Sequence, residues 1–475
     1  MIRIIGRQKE LQLLREVATA PASAFVAVYG RRRVGKTFLI REAFQQQFCF
    51  SLTGVANIST AQQLANFHHA FVKYQPAAEG SAPPSGWLEA FQRLIGLVER
   101  SPEGKKVLFL DELPWLDTAQ SGFIPALEHF WNSWASARTD IVLVVCGSAA
   151  AWMIQELLGH TGGLHNRVTH RLRLRPFTLQ ECEAFLQAKG GQFDRYQLML
   201  LYMALGGIPF YLEQVRTGDS AAQNINRLCF EADGALRTEF DILYRSLFKK
   251  AAKHVALIEA LSKKAKGLTR RELLGLTGLP DAGSTTRIIR ELEESDFIRR
   301  YAPYGQKERN ALYQLVDPYS LFYLKWIRRS SVLDEHTWIN QLDSPAQRAW
   351  SGYAFEQACL AHIPQIKKAL GISGVQTMTS SWVSTGLEKG AQIDLVIDRR
   401  DGVINICEMK FSLHSFTIDK KYAEELKNKL RAFREETGTR KALYLTMITT
   451  FGVTANAYRT DVQKELTMDV LFESA

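Results

Sequence analysis

No C-x-x-C pair occurs in this chain; its six cysteines, at 49, 146, 182, 229, 359 and 407, stand far apart. That spacing argues against a zinc site and a disulfide framework, and it fits the reduced thiols of a cytoplasmic protein. Long apolar runs are missing too. The most apolar stretch, Ile141 to Ile154, is broken by Gly147 and Ser148 and is too short to span a bilayer. The chain is charged from Arg3 onward without an apolar h-region, so a secretory signal is not expected. With 46% hydrophobic and 23% charged residues, the composition is not that of a disordered chain. A single core is also excluded, because 475 residues call for several domains. The formal net charge of +10 matters only where it clusters.

What is present begins at Phe25 to Tyr29, a short apolar run that reads as a buried parallel strand. Gly30 ends it, and Gly30, Gly35, Lys36 and Thr37 fit G-x-x-x-x-G-K-[ST], the phosphate-binding loop. Backbone N–H groups of such a loop cradle phosphates, and the following helix starts with a partial positive charge. Lys36 supplies charge to the β- and γ-phosphates, and Thr37 offers a hydroxyl to Mg²⁺. Gly30, Arg33, Val34, Gly35, Lys36, Thr37 and Phe38 are the expected ATP-contacting set. Arg31 to Arg33 are expected where the loop tip meets solvent, adding a favourable field. A helix is expected from Phe38 to Phe48.

The run Val107-Leu108-Phe109-Leu110-Asp111-Glu112 is a buried strand ending in two carboxylates, the Walker B pattern, 75 residues after Lys36. Its acidic end emerges at the C-terminal edge of the sheet, beside the phosphate loop. Asp111 is expected to hold Mg²⁺ with Thr37, and Glu112 to polarise the attacking water as general base. Ile141 to Cys146 is another buried strand, ending in Gly147-Ser148; Ser148 is the candidate sensor of the γ-phosphate or the lytic water. Val168, His170, Leu172 and Leu174 alternate as a final strand with a basic face; Arg167 is open between phosphate contact and solvated surface. Gly206-Gly207-Ile208-Pro209 follows a helical stretch and reads locally as a helix C-cap and turn.

The set Gly6-Arg7, Gly30 to Thr37, Asp111-Glu112, Gly147-Ser148 and Gly206-Gly207-x-Pro209 resembles the archaeal-type ATPases, in the STAND branch of AAA+-like P-loop proteins, over about residues 1–245. The resemblance implies a P-loop core over 1–176 and a helical lid over 177–245. It also implies that Gly207 and Pro209 lie beside the nucleotide, and that turnover drives a conformational switch rather than metabolism.

Residues 250–318 change character. Val255, Leu257, Ile258 and Leu261 mark one helix. Thr269 and Glu272 form a capping box for a second, and Ser284 is expected to cap a third. Phe297 to Tyr301 and Ala311 to Leu315 form a hairpin, so the segment reads as a winged helix-turn-helix. From 249 to 310 there are 14 Lys+Arg against 8 Asp+Glu, a local charge of +6. Thr285, Thr286, Arg287 and Arg290 on the third helix, with Lys307 and Arg309 on the wing, are candidate DNA contacts. The other reading is an internal packing module.

After a helical linker, 319–345, the last domain spans 346–475. Gln392 to Asp398 and Val403 to Cys407 flank Asp401-Gly402, a strong hairpin signal. Glu408 and Lys410 share one face of the return strand, and the hairpin brings Asp394 near Glu408; Glu356, on a preceding helix, completes the cluster. Asp394, thirteen intervening residues, then Glu408-x-Lys410 resembles the PD-(D/E)XK nuclease site, with Ile393 where that motif has proline. The segment also resembles the uncharacterised domain that commonly follows archaeal-type ATPases. The resemblance implies Mg²⁺ on Asp394 and Glu408, with Lys410 activating water. A degenerate domain used for binding is the alternative. Lys420, Lys421, Lys427 and Lys429 read as a phosphate track or as solvated surface.

The expected fold class is thus multidomain α/β: P-loop core, helical lid, winged helix-turn-helix and a restriction-endonuclease-like α/β domain. The expected function is an ATP-hydrolysing switch that regulates a DNA-directed, metal-dependent nuclease-like domain. The alternative is a signalling or scaffold switch whose last two domains recruit partners. A helicase motif set is not recognisable.

Overall fold

The computed structural model describes residues 4–159, 164, 166–248, 250–306, 310–330, 336–384 and 391–474. Lys307 and Arg309 therefore lie outside the described residues. The chain divides into two compact units, 1–175 with 246–249, and 176–245 with 250–475. Among the described residues no helix is long and apolar enough to cross a membrane. All six cysteines carry free thiols.

The first unit is built on a five-stranded parallel sheet. Its strands are β1 (Ala24–Tyr29), β2 (Phe50–Thr53), β3 (Lys106–Asp111), β4 (Ile141–Gly147) and β5 (His170–Arg173), in the order β2-β3-β4-β1-β5. β1, β3 and β4 are covered on both faces, which is why they read as continuous apolar runs. β5 is an edge strand, and its alternation survives as buried Leu172 against exposed Arg171. Strand β2 has no counterpart in the sequence reading. The helix expected through Phe48 stops at Ala43, and Gln45 and Gln46 turn through positive φ. A four-residue strand entered directly from such a turn carries too little periodicity to announce itself.

The second unit opens with helices Leu179–Ala188, Arg195–Leu205 and Ala221–Cys229. Gly206 caps the second of these, its N–H donating to the Tyr202 carbonyl. Then come helices Ala251–Leu261, Arg270–Thr277 and Gly283–Glu294, with a small antiparallel sheet of β6 (Leu268–Thr269), β7 (Ile298–Tyr301) and β8 (Leu312–Leu315). Thr269 and Glu272 form the expected capping box. Ser284 does not cap the third helix: the N-cap is Ala282, without a side-chain bond. Thr285 is buried and donates its hydroxyl to the Pro280 carbonyl at 2.7 Å, so it is not a groove contact. Thr286 accepts from Arg270 at 3.0 Å, while Arg287 and Arg290 remain exposed.

Helix Pro345–Ala361 leads into a mixed sheet of β9 (Thr377–Val383), β10 (Gln392–Arg399), β11 (Val403–Lys410), β12 (Ala442–Thr449) and β13 (Lys464–Thr467), ordered β13-β12-β11-β10-β9. β9, β10 and β11 run antiparallel, whereas β11, β12 and β13 are parallel. The β10–β11 hairpin turns at Asp401-Gly402, with Gly402 at φ +86. Helix Lys420–Thr437 lays Ala432 and Phe433 against Ile404 and Ile406 of β11.

One buried histidine ties the first helices of this unit to its C-terminal part. His362 Nε2 accepts the Leu179 N–H at 3.0 Å, so Nδ1 must carry the proton that it shares with the Ala358 carbonyl at 2.8 Å. Burial pushes its pKa below the ordinary 6.5. The folded state thus resists protonation while the unfolded state does not. Stability is full above pH 6.5 and declines as pH falls below it, by at most about 1.4 kcal/mol per pH unit. Thermal unfolding at pH 7.5 and 5.5 should show a smaller difference in His362→Gln than in wild type. An identical difference would remove His362 from the acid response.

Candidate functional site

At the end of β1 the chain is pressed against β5. Leu174 N donates to the Tyr29 carbonyl at 2.8 Å, and a Cβ on Gly30 would lie 2.2 Å from the Leu174 oxygen. Gly30 also sits at φ +146, where only glycine is unstrained. The loop continues through Arg33 and Gly35, both at positive φ, into helix Lys36–Ala43, which has no side-chain N-cap. Its first amides are left for an anion. Lys36 is buried and donates to the Gly30 and Arg31 carbonyls, at 2.9 Å each. Burial draws its pKa down, opposed by Cys146, Glu112 and Asp111 beside it.

A chain of polar contacts joins the start of helix Lys36–Ala43 to the ends of β3 and β4. Thr37 Oγ1 donates to Asp111 Oδ2 at 2.9 Å, and the Glu112 N–H donates to Asp111 Oδ1 at 3.0 Å. Glu112 itself is left-handed, φ +49, a conformation rare for its residue type and frequent at functional sites. Ser148 holds its carboxylate with Oγ at 2.8 Å and its N–H at 3.4 Å. The hydroxyl of Thr37 and the carboxylate of Asp111 are hard oxygen donors that fit Mg²⁺ alongside phosphate oxygens.

The second unit carries its own cluster. Leu395 pairs with Cys407 across the β10–β11 ladder, and Asp394 and Glu408 are the next residues out on each strand. Glu356, on helix Pro345–Ala361, is pushed up to about 8, first by burial and then by Asp394 and Glu408, against the opposing pull of Lys410 and Lys429. The four residues singled out in the sequence therefore share one electrostatic environment. Lys410 does not enter a core; its Nζ stands 4.9 Å from the centre of the Tyr422 ring. Two further residues complete the arrangement: Tyr422 donates to Glu408 Oε2 at 3.1 Å, and Lys429 Nζ to Oε1 at 2.5 Å. In the sequence Tyr422, Leu426, Lys429 and Phe433 fall on one helical face, but Lys429 read there only as part of a phosphate track or as solvated surface. Asp394 Oδ1 accepts from Gln392 at 2.5 Å. With both oxygens of Glu408 engaged, the residues as arranged do not fit a metal ion. Among the described residues no group of three or more His, Cys, Asp or Glu side chains is placed to hold one.

Residues 4–215 match the family described as an ATPase domain predominantly from Archaea. That segment is similar to the ATPase domains of that family. Over 397 residues the chain is 22% identical to an uncharacterized protein of Methanocaldococcus jannaschii, covering 82% of this chain and 83% of the relative. Among solved structures it is similar to a Walker-type ATPase of Pyrococcus abyssi, at 19% identity, 68% and 96% coverage and a TM-score of 0.48. It is also similar to the ORC2 protein of Aeropyrum pernix, at 15% identity, 68% and 93% coverage and a TM-score of 0.38.

The first unit brings together Gly30, Arg33, Val34, Gly35, Lys36, Thr37, Asp111, Glu112 and Ser148 at one edge of its sheet. Phe38, the residue after Thr37, is 42% exposed. Arg31 does not meet solvent as expected: it is only 1% exposed. Arg167 is exposed. Pro209 opens helix Pro209–Glu213 in the second unit. Arg7 has a role that its place in the sequence did not disclose. It is buried, left-handed at φ +58, and donates from Nη2 to the Val34 carbonyl of the loop and to the Arg175 carbonyl.

Proposed function

We propose that the protein is an ATP-binding and ATP-hydrolysing switch of the STAND type, and that its turnover controls a nucleic-acid-directed C-terminal domain with a nuclease-like site. The contact chain Thr37–Asp111–Glu112–Ser148 carries the first half: a cation-binding pair next to a base held in a strained, two-point-anchored conformation. The shared environment of Glu356, Asp394, Glu408 and Lys410 supports the second. Exposed Arg271, Arg287 and Arg290, in the most basic part of the chain, favour DNA as the partner. Lys410 would neutralise charge developing on a phosphodiester.

The test is DNA incubated with the full chain in Mg²⁺ or Mn²⁺, with and without ATP, beside Lys410→Ala. Wild type should cleave, and the variant should be slower by about a hundredfold or more. Substrates left equally intact by both would end the cleavage reading. A second reading, a signalling or scaffold switch that only binds partners, is favoured by the Lys429–Glu408 ion pair, which leaves the cluster internally neutralised. DNA affinity that falls steeply with salt supports the first reading, and no binding near physiological salt supports the second.

A further inference from the structure

A nuclease-like site implies a divalent cation at Asp394 and Glu408, yet the chain puts a cation of its own there. Glu408 is 1% exposed and Lys429 19%, and their 2.5 Å contact is the direct ion pair of the cluster. Lys410 is not the alternative partner, because its ammonium is seated over the Tyr422 ring. Nor is Lys429 an ordinary lysine of its helix. Lys427 pairs with Asp461 at the surface, and Lys420 and Lys421 are exposed. Lys429 alone of the four is turned inward, on a helix pinned by Leu426 and Phe433, both buried. A long cationic side chain loses rotamer freedom and hydration in such a place, so its position answers the charge of Glu408.

We propose that Lys429 is the internal counter-ion of this cluster: it occupies the place of a divalent cation at Glu408, and the cluster accepts Mg²⁺ or Mn²⁺ only when Lys429 withdraws. The proposal rests on the nuclease-like reading of the domain and specifies how that site is kept closed. Removing the ammonium strands a buried carboxylate, which either takes up a proton or, with Asp394 beside it, gains a divalent cation.

The experiment is Mn²⁺ titration of the full chain by calorimetry and by thermal shift, without nucleotide, in wild type, Lys429→Gln, Lys429→Arg and the double variant Lys429→Gln/Asp394→Asn. The Gln variant should bind Mn²⁺ about tenfold or more tighter than wild type, and its melting temperature should rise with Mn²⁺. Lys429→Arg should behave as wild type, and the double variant should lose the gain, which subtracts any cation held at Thr37 and Asp111. A Gln variant that binds no tighter than wild type overturns the proposal. Should that variant need a cation to fold, recovery only in Mn²⁺ or Mg²⁺ supports it, and equal losses with and without cation overturn it. A Gln variant that gains Mn²⁺ but cleaves no DNA keeps the counter-ion and sinks the nuclease reading instead.

Discussion

Glu112→Gln should slow ATP turnover by about 10²–10⁴-fold while leaving nucleotide affinity nearly unchanged. The expectation follows from how the contacts divide. Phosphate and Mg²⁺ would be held by the loop, Lys36, Thr37 and Asp111, none of which depends on the Glu112 carboxylate. The Glu112 carboxylate is instead anchored through Ser148, at 2.8 and 3.4 Å. An amide preserves shape and one acceptor but cannot take a proton from water. Ser148→Ala should be milder, about tenfold, because it loosens the base without removing it. Phosphate release and a fluorescent-nucleotide titration, run on the same preparations, separate the two effects. Turnover within twofold of wild type in Glu112→Gln would remove Glu112 as the base.

Gly30→Ala should destabilise the first unit by about 3–5 kcal/mol and abolish measurable nucleotide binding. Two costs coincide. The residue sits at φ +146, and its added methyl would meet the Leu174 oxygen at 2.2 Å. Backbone, unlike the tip of a flexible side chain, cannot step aside without breaking the Leu174-to-Tyr29 hydrogen bond that closes the β1–β5 ladder. Gly35 offers the control: its φ is +88, but no atom lies within 4 Å of the added Cβ, so Gly35→Ala should cost only the backbone strain. Urea unfolding followed with nucleotide titration measures both. Equal costs at the two glycines would show that the contact with Leu174 is immaterial.

Much of the molecule was legible because its signals are local. A phosphate loop is eight consecutive residues, Gly30 to Thr37, whose chemistry needs no distant partner to be recognised. The same holds for two acids at the end of an apolar strand, for Asp401-Gly402 between alternating runs, and for Thr269 with Glu272 three residues on. The cluster of the second unit was half legible: pleat parity places Glu408 with Lys410, and the hairpin brings Asp394 across. Tyr422 and Lys429 come from a helix that follows the strand, and helical phase alone does not say which face meets the sheet.

The sequence by itself determined the kind of site, since a nucleotide loop and an acidic strand end are properties of residue order and periodicity. Tertiary structure decided which charges are spent. Arg31 was expected in solvent and is buried; Arg7 clamps the loop through Val34; Thr285 turns inward to Pro280; Lys429 closes on Glu408. Each of these depends on a side chain's direction relative to an element elsewhere in the chain. A lysine on an exposed face and a lysine neutralising a buried carboxylate are the same letter, and only burial and distance separate them.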